Sequence, residues 1–218
     1  MSKLKEKSVL ILSPHPDDME ISVGILSLIA VSKGYKVSQI IITDGRFGGI
    51  DVSLLGKDEL IEKRKKEALK GASILGIKET IFLDFEDGKL LENIDAVYKV
   101  VYDEIIKHSP NVIVYPSEID LHPDHKALGE ICNLIVNKMS KLIALKYCFW
   151  GEGSFNCIIS APEYSEKRME AIRAHISQPI DTYLKMLNTR GEFTEDRFDI
   201  YANISKAVKL FYPYIKII

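Results

Sequence analysis

Apolar and polar positions along the chain form two alternating kinds of segment. Short runs of β-branched and other apolar residues, typical of buried strands, occur at 9–12, 37–42, 80–83, 112–115 and 142–149. Between and after them, apolar residues recur at spacings of three and four, which predicts helices at 19–33, 58–75, 91–108, 125–139 and 164–176. Strands that alternate with helices through short connections indicate a parallel sheet covered on both faces.

This alternation predicts an α/β fold of the three-layer Rossmann-like type with a mostly parallel sheet, as one domain over residues 1–218. The periodicity weakens after Pro179. We expect the mixed tail from Asp181 onward, which carries several aromatic residues, to cover a sheet edge or a subunit interface. In open α/β sheets ligands bind outside the carboxyl ends of the strands, so the residues that follow each strand are the first candidates for a site.

Two related motifs follow predicted strands. The first strand leads into PHPDD at 14–18, and the apolar run VIVYP leads to HPDH at 122–125. One interpretation is that proline and aspartate merely turn the chain and cap the next helix. The repetition of His-Pro-Asp at the ends of two parallel strands favours another, in which both motifs face one crevice and share a chemical task.

The residue types in these motifs indicate a metal site. A catalytic zinc ion typically takes three imidazole or carboxylate ligands and leaves one position for water. His15 and Asp18, three residues apart around a turn, together with His125, provide such a set. Asp17 then remains beside the metal-bound water and is predicted to be the general base.

The second motif contains two further candidates. We expect His122 to face the same cavity and, when protonated, to stabilise an oxyanion or to protonate a leaving nitrogen. We expect Asp124 to orient and charge His122 through a hydrogen bond.

PHPDD and HPDH, in this order, resemble the motifs of the LmbE/PIG-L-like N-acetylglucosaminyl deacetylases, and the resemblance covers most of the chain. It implies the same ligands and base, bound Zn²⁺ or another divalent metal such as Fe²⁺, and a small-molecule amino-sugar substrate. It also implies a homo-oligomer, a trimer or hexamer. Two alternatives stay open: an amidase acting on another amide such as a thiol conjugate, and a non-catalytic Rossmann-like module that binds a metal or a nucleotide. The first strand is followed by no G-x-G-x-x-G motif.

Two arginines are candidate substrate contacts. Arg64 falls on the apolar stripe of its helix, so its guanidinium either reaches outward to solvent or points into the crevice, as the resemblance implies. Arg46 stands where many relatives have an acidic residue. Together they lead to the hypothesis of a substrate that bears a carboxylate or phosphate.

Two further segments resemble the family less specifically: R-x-x-E at 64–67 and H-x-S-Q at 175–178. For His175 alone, the simpler interpretation is a histidine that complements the dipole of a helix end.

Composition limits the partners. The 29 basic and 31 acidic residues give a net charge of −2, which predicts no nucleic-acid partner. The most apolar stretch, 21–31, is too short to span a bilayer, so we expect no membrane insertion. Cys132, Cys148 and Cys157 are odd in number and lack C-x-x-C spacing, which favours a reducing compartment, the cytoplasm.

Overall fold

The computed structural model describes residues 7–151, 153 and 155–218. Strand and helix alternate through the first two thirds of the chain as predicted. The elements are β1 (Ser8–Ser13), α1 (Asp18–Ser32), β2 (Lys36–Thr43), α2 (Asp58–Leu75), β3 (Glu79–Phe85), α3 (Ile94–His108), β4 (Val112–Pro116), α4 (Pro123–Val136) and β5 (Ile143–Tyr147).

The helix predicted at 125–139 begins two residues earlier, because HPDH itself forms its first turn. His122 is the N-cap residue, and its Nδ1 accepts a hydrogen bond from the backbone N–H of Asp124. Pro123 occupies the first helical position, where the missing N–H of proline costs nothing.

The remainder of the chain contains more regular structure than its pattern predicts. It forms β6 (Cys157–Ser160), α5 (Ser165–Ile172), α6 (Ile180–Arg190), β7 (Glu195–Ala202), α7 (Ile204–Phe211) and β8 (Ile215–Ile217). The helix predicted at 164–176 ends at Ile172. The tail does extend the sheet edge, since β7 pairs antiparallel with β5.

The strand order is β3-β2-β1-β4-β5-β7-β6-β8, with β1 to β5 parallel and the last three strands antiparallel. Helices cover both faces. On β1, Val9 and Ile11 belong to one apolar cluster, whereas Leu10 and Leu12 belong to the other. Side chains on the two faces of the sheet therefore pack into two separate apolar cores, which confirms the three-layer α/β fold.

Within the described part of the chain, no helix combines the length and the apolar character needed to cross a bilayer.

Candidate active site

The carboxyl ends of β1 and β4 bring the two motifs together. These strands are neighbours in the sheet, with Ile11 opposite Val114, so the loops that follow them share one edge. The ring centroids of His15 and His122 lie 4.5 Å apart, those of His15 and His125 5.3 Å, and those of His122 and His125 5.2 Å. The three imidazoles thus form one cluster.

This cluster opens into a cavity of about 270 Å³. His15, Asp17, Asp18, Arg64 and His122 line it, and four aromatic residues complete its wall: Phe47, Phe149, Trp150 and Tyr183. A polar floor with an apolar rim is the usual composition of a small-molecule site.

Asp18 lies between two of the histidines. Its Oδ2 is 3.3 Å from Nδ1 of His15, and its Oδ1 is 3.2 Å from Nε2 of His125. Asp18 also accepts the backbone N–H of His15 at 2.8 Å, which fixes the turn. The three residues predicted to hold a metal therefore present their ligand atoms to one another.

The opposite nitrogen of each imidazole faces a different carboxylate. Nε2 of His15 is 3.2 Å from Asp87 and 3.3 Å from Asp124, and Nδ1 of His125 is 3.3 Å from Asp120. Metal-binding histidines commonly place their second ring nitrogen against a carboxylate in this way, because the contact sets the tautomer and the ring orientation. The arrangement leaves Nδ1 of His15 and Nε2 of His125 as the nitrogens directed toward Asp18.

Two further observations fit a bound cation. His125 is completely buried, yet neither of its ring nitrogens has a hydrogen bond of good geometry to a described residue, a costly situation for buried polar atoms. Burial by itself lowers the pKa of His125, but Asp18 and Asp120 raise it to about 9. The surplus of carboxylates over imidazoles, with nitrogen and oxygen donors together, suits a divalent ion of the zinc type.

The donor atoms allow more than one set of ligands. Among the described residues, His15, His122 and His125 have ligand atoms within 4.8 Å of one another, and so do His15, Asp87 and Asp124. Both sets include His15.

Asp17 and Arg64 form a buried ion pair. Arg64 is 2% exposed, and its Nη2 donates to Oδ1 of Asp17 at 2.8 Å while Nη1 donates to the carbonyl of Gly45 at 2.8 Å. A Cβ built on Gly48 would lie 2.4 Å from Nη1, so glycine at this position leaves the space that the guanidinium fills. Of the two orientations considered for Arg64, the outward one is wrong.

Among the described residues, His122 donates no hydrogen bond to the carboxylate of Asp124, contrary to the prediction. That carboxylate instead accepts the backbone N–H groups of Gly88 and Leu90 at 2.7 and 3.1 Å, and its remaining partner is His15. Because Nδ1 of His122 accepts the N–H of Asp124, the proton of the neutral ring is on Nε2. Burial, together with His15 and His125, lowers the pKa of His122, so this ring is a neutral donor.

Arg46 does not line the cavity. Its guanidinium is held by Asp44, with Nη2 and Nε at 2.6 and 2.8 Å from Oδ2. Arg46, predicted to be a substrate contact, therefore has its guanidinium paired with Asp44 and lies outside the lining of this cavity.

The two less specific motifs meet in the wall of the cavity. The carboxylate of Glu67 accepts the N–H of Ser177 at 3.0 Å and its hydroxyl at 2.6 Å, and Gln178 donates to the carbonyl of Gly48 at 2.9 Å. His175 is not exposed at a helix end. It is 1% exposed, with Nε2 3.4 Å from the buried carboxylate of Glu20, which corrects the interpretation as a dipole partner.

Sequence reasoning missed three groups of site residues: Asp87, Asp120 and the aromatic wall. Asp120 stands two residues before His122, and Asp87 follows the third strand, so each lies after a strand, as the predicted ligands do. Position after a strand was thus the available signal. The aromatic residues come from three separate loops and helices, and no spacing connects them.

Comparison with known proteins identifies the family of this chain. The model of the PIG-L family, GlcNAc-PI de-N-acetylase, matches residues 10–136, more than half of the chain. The chain belongs to this family. Membership confirms the predicted resemblance and the predicted class of enzyme, a hydrolase that removes an N-acetyl group by cleaving a linear amide bond.

Individual relatives extend the likeness beyond the matched segment. A diacetylchitobiose deacetylase of Thermococcus kodakarensis is 27% identical over 94% of this chain and 78% of its own length. A probable N-acetyl-α-D-glucosaminyl L-malate deacetylase 2 of Bacillus anthracis is 27% identical over 79% of this chain and 82% of its own. The solved structure of the N,N'-diacetylchitobiose deacetylase of Pyrococcus horikoshii, 24% identical, superposes with a TM-score of 0.76 over 93% of this chain and 86% of that one.

Proposed function

We propose that this chain is a metal-dependent deacetylase of small N-acetylglucosamine compounds, with Zn²⁺, or another divalent metal such as Fe²⁺, held by His15, Asp18 and His125. One observation carries the ligand assignment. Each histidine has one nitrogen against an outer carboxylate and the other against Asp18, at 3.3 and 3.2 Å. This pattern selects the set that contains Asp18 over the two sets without it.

When bound, the metal would polarise the amide carbonyl and lower the pKa of a nearby water. Asp17 would be the general base, its carboxylate taking a proton from water as the water oxygen attacks the carbonyl carbon. The same carboxyl then delivers the proton to the amine nitrogen as the C–N bond breaks. Arg64 holds Asp17 through Oδ1, so it is a positioning residue for the base.

His122 contributes as a neutral donor. His122 lines the cavity, and its Nε2–H would donate a hydrogen bond to the oxyanion that develops from the carbonyl oxygen. Asp124 has a different role from the one expected. Its carboxylate contacts Nε2 of His15, so Asp124 orients a metal ligand.

The charges around the cavity favour a neutral sugar over an anionic conjugate. Both candidate arginines are neutralised, Arg64 by Asp17 and Arg46 by Asp44. Neither guanidinium is therefore free to pair with a carboxylate or phosphate on the substrate. The diacetylchitobiose type of substrate named for one relative therefore fits better than the malate conjugate named for another.

The test combines metal analysis with an assay of released acetate on N-acetylglucosamine, diacetylchitobiose and the malate conjugate. We expect stoichiometric divalent metal, release from the neutral sugars, and loss of release in Asp17→Asn with metal retained. Bound metal without release would indicate another amide, such as a thiol conjugate. A protein that binds no metal after reconstitution would instead support the non-catalytic module. Faster turnover of the malate conjugate than of the neutral sugars would contradict the preference for a neutral sugar, but not the assignment as a deacetylase.

The cytoplasmic location and the trimer or hexamer stay predictions. Light scattering coupled to size-exclusion chromatography tests the second, and a monomer at micromolar concentration would contradict it.

A further inference from the structure

A second concavity lies at the amino ends of the parallel strands, whereas the catalytic cavity lies at their carboxyl ends. Its base includes Asn111 and Ile143, at the amino ends of β4 and β5, and its volume is about 450 Å³. Five of its lining residues are lysines: Lys7, Lys33, Lys141, Lys206 and Lys209. No acidic residue lines it among the residues that the structure describes.

Some lysines elsewhere in the chain are neutralised by carboxylates. The ammonium of Lys36 is 2.7 Å from Glu79, that of Lys65 is 2.8 Å from Asp84, and that of Lys146 is 3.1 Å from Glu118. The ammonium groups of Lys141, Lys206 and Lys209, like those of most described lysines, form no ion pair, and they form no hydrogen bond with any other described residue. They differ from the other unpaired lysines in lining one concavity together. Because the net charge of the chain is −2, a general excess of lysine does not explain this cluster.

Two of the five lysines are fixed by the fold. Nζ of Lys33, at the end of α1, donates to the carbonyl of Tyr212 at 2.7 Å and to that of Leu210 at 3.4 Å, which ties it to the carboxyl end of α7. Nζ of Lys7 lies 5.5 Å from the ring centroid of Tyr35. Lys206 and Lys209 stand one turn apart on α7 itself. The contacts of Lys33 therefore connect the end of α1 to the end of α7. The five lysines that line the concavity make it a site of positive charge.

We propose that this lysine-lined concavity binds a soluble small molecule that carries at least two phosphate groups. Lysine binds phosphate as a point charge, and five ammonium groups exceed what a single phosphate would neutralise. The volume falls in the range of about 300–1,000 Å³ typical of small-molecule sites. The lysines surround a hollow, so a compact soluble ligand reaches more of them at once than a flat lipid surface does.

Isothermal titration calorimetry with tripolyphosphate, on the full chain loaded with metal, tests this proposal. We expect one molecule bound per chain, with affinity that falls as salt is added. The double variant Lys206→Glu/Lys209→Glu should bind about tenfold or more weakly, because each change replaces an attraction with a repulsion. Its acetate release and metal content should match those of the wild type, since both lysines lie far from the catalytic cavity.

The control is Lys66→Glu/Lys70→Glu, which reverses two exposed lysines one turn apart on α2 and alters the net charge equally. It should bind tripolyphosphate like the wild type. Lys141→Glu is a second variant that does not depend on the folding of α7. Equal weakening in the control, binding of inorganic phosphate as tight as that of tripolyphosphate, or absence of binding would each overturn the proposal. Binding to vesicles rich in phosphatidylserine without binding of tripolyphosphate would assign the lysines to a membrane surface instead.

Discussion

At the scale of single residues, the proposed metal ligands contact carboxylates that do not themselves line the cavity, such as Asp120. Asp120 faces Nδ1 of His125 and also accepts the backbone N–H groups of His122, Phe149 and Trp150. Although burial raises the pKa of Asp120, its contacts with His125 and these backbone groups lower it to about 2. Asp120 is therefore a carboxylate at neutral pH. It favours a proton on Nδ1 of His125, which leaves Nε2, the nitrogen that faces Asp18, free to bind a metal.

Asp120→Asn should weaken zinc binding by about 10- to 100-fold, the usual cost of removing a carboxylate behind a metal-binding histidine. Competition with a fluorescent chelator measures this change. The control is Asp103→Asn, an exposed position on α3. Unchanged zinc affinity in Asp120→Asn would show that Asp120 does not set the orientation of His125.

Gly48→Ala should lower kcat by about 10- to 100-fold with metal content unchanged. The added Cβ would lie 2.4 Å from Nη1 of Arg64, so the guanidinium must shift and Asp17 loses its support. The matched control is the neighbouring Gly49→Ala, where the nearest atom is a side-chain carbon of Leu60 at 3.4 Å. Equal activity in the two variants would remove the positioning role assigned to Arg64.

At the scale of elements, α1 carries Asp18 in its first turn and is held in place by residues from the last third of the chain. Arg168, 1% exposed, donates to the carbonyls of Glu20 and Ile21 and lies 3.3 Å from Asp196. Asp196 in turn accepts the backbone N–H of Leu26 at 2.7 Å. The antiparallel extension of the sheet thus supports the helix that begins at the active site.

Arg168→Met should lower the free energy of unfolding by about 3–5 kcal/mol, because it leaves the buried carboxylate of Asp196 without its cation. The double variant Arg168→Met/Asp196→Asn should recover part of this loss, since the amide can still accept the N–H of Leu26. Urea unfolding measures both. A double variant less stable than Arg168→Met would indicate that packing, not charge, dominates at this position.

At the scale of the whole molecule, the site exists because two strands that are distant in sequence are neighbours in the sheet. β1 and β4 are separated by three α-helices and two strands along the chain, yet the segments that follow them supply all three proposed ligands. A metal that binds these loops joins parts of the chain far apart in sequence and stabilises the folded state by mass action.

Removal of metal by a chelator should lower Tm by about 10 °C. Ligand at a thousandfold excess over its Kd contributes about 4 kcal/mol, and for a chain of this size each kcal/mol shifts Tm by roughly 2–4 °C. Differential scanning calorimetry measures the shift, which should persist in Asp17→Asn and vanish in His125→Ala. A chelator-dependent shift in His125→Ala as large as in the wild type would place the metal elsewhere.

The five parallel strands, their helices and the meeting of the two His-Pro-Asp motifs could be predicted from the sequence. Four of these strands are buried over almost their whole length and are rich in apolar residues, whereas the edge strand β3 is only partly buried. The segments that follow parallel strands lie at one end of the sheet, which brings the two motifs together. The antiparallel strands β6 and β8 were not predicted because they have only four and three residues. β7 has eight residues, but four of them are charged. The pairing of each carboxylate with a ring nitrogen is defined by the tertiary structure. The carboxylate of Asp124 contacts His15 and that of Asp120 contacts His125. Each candidate arginine forms an ion pair with an aspartate. Such pairings depend on side-chain directions and distances of a few ångströms, which residue order along the chain does not specify.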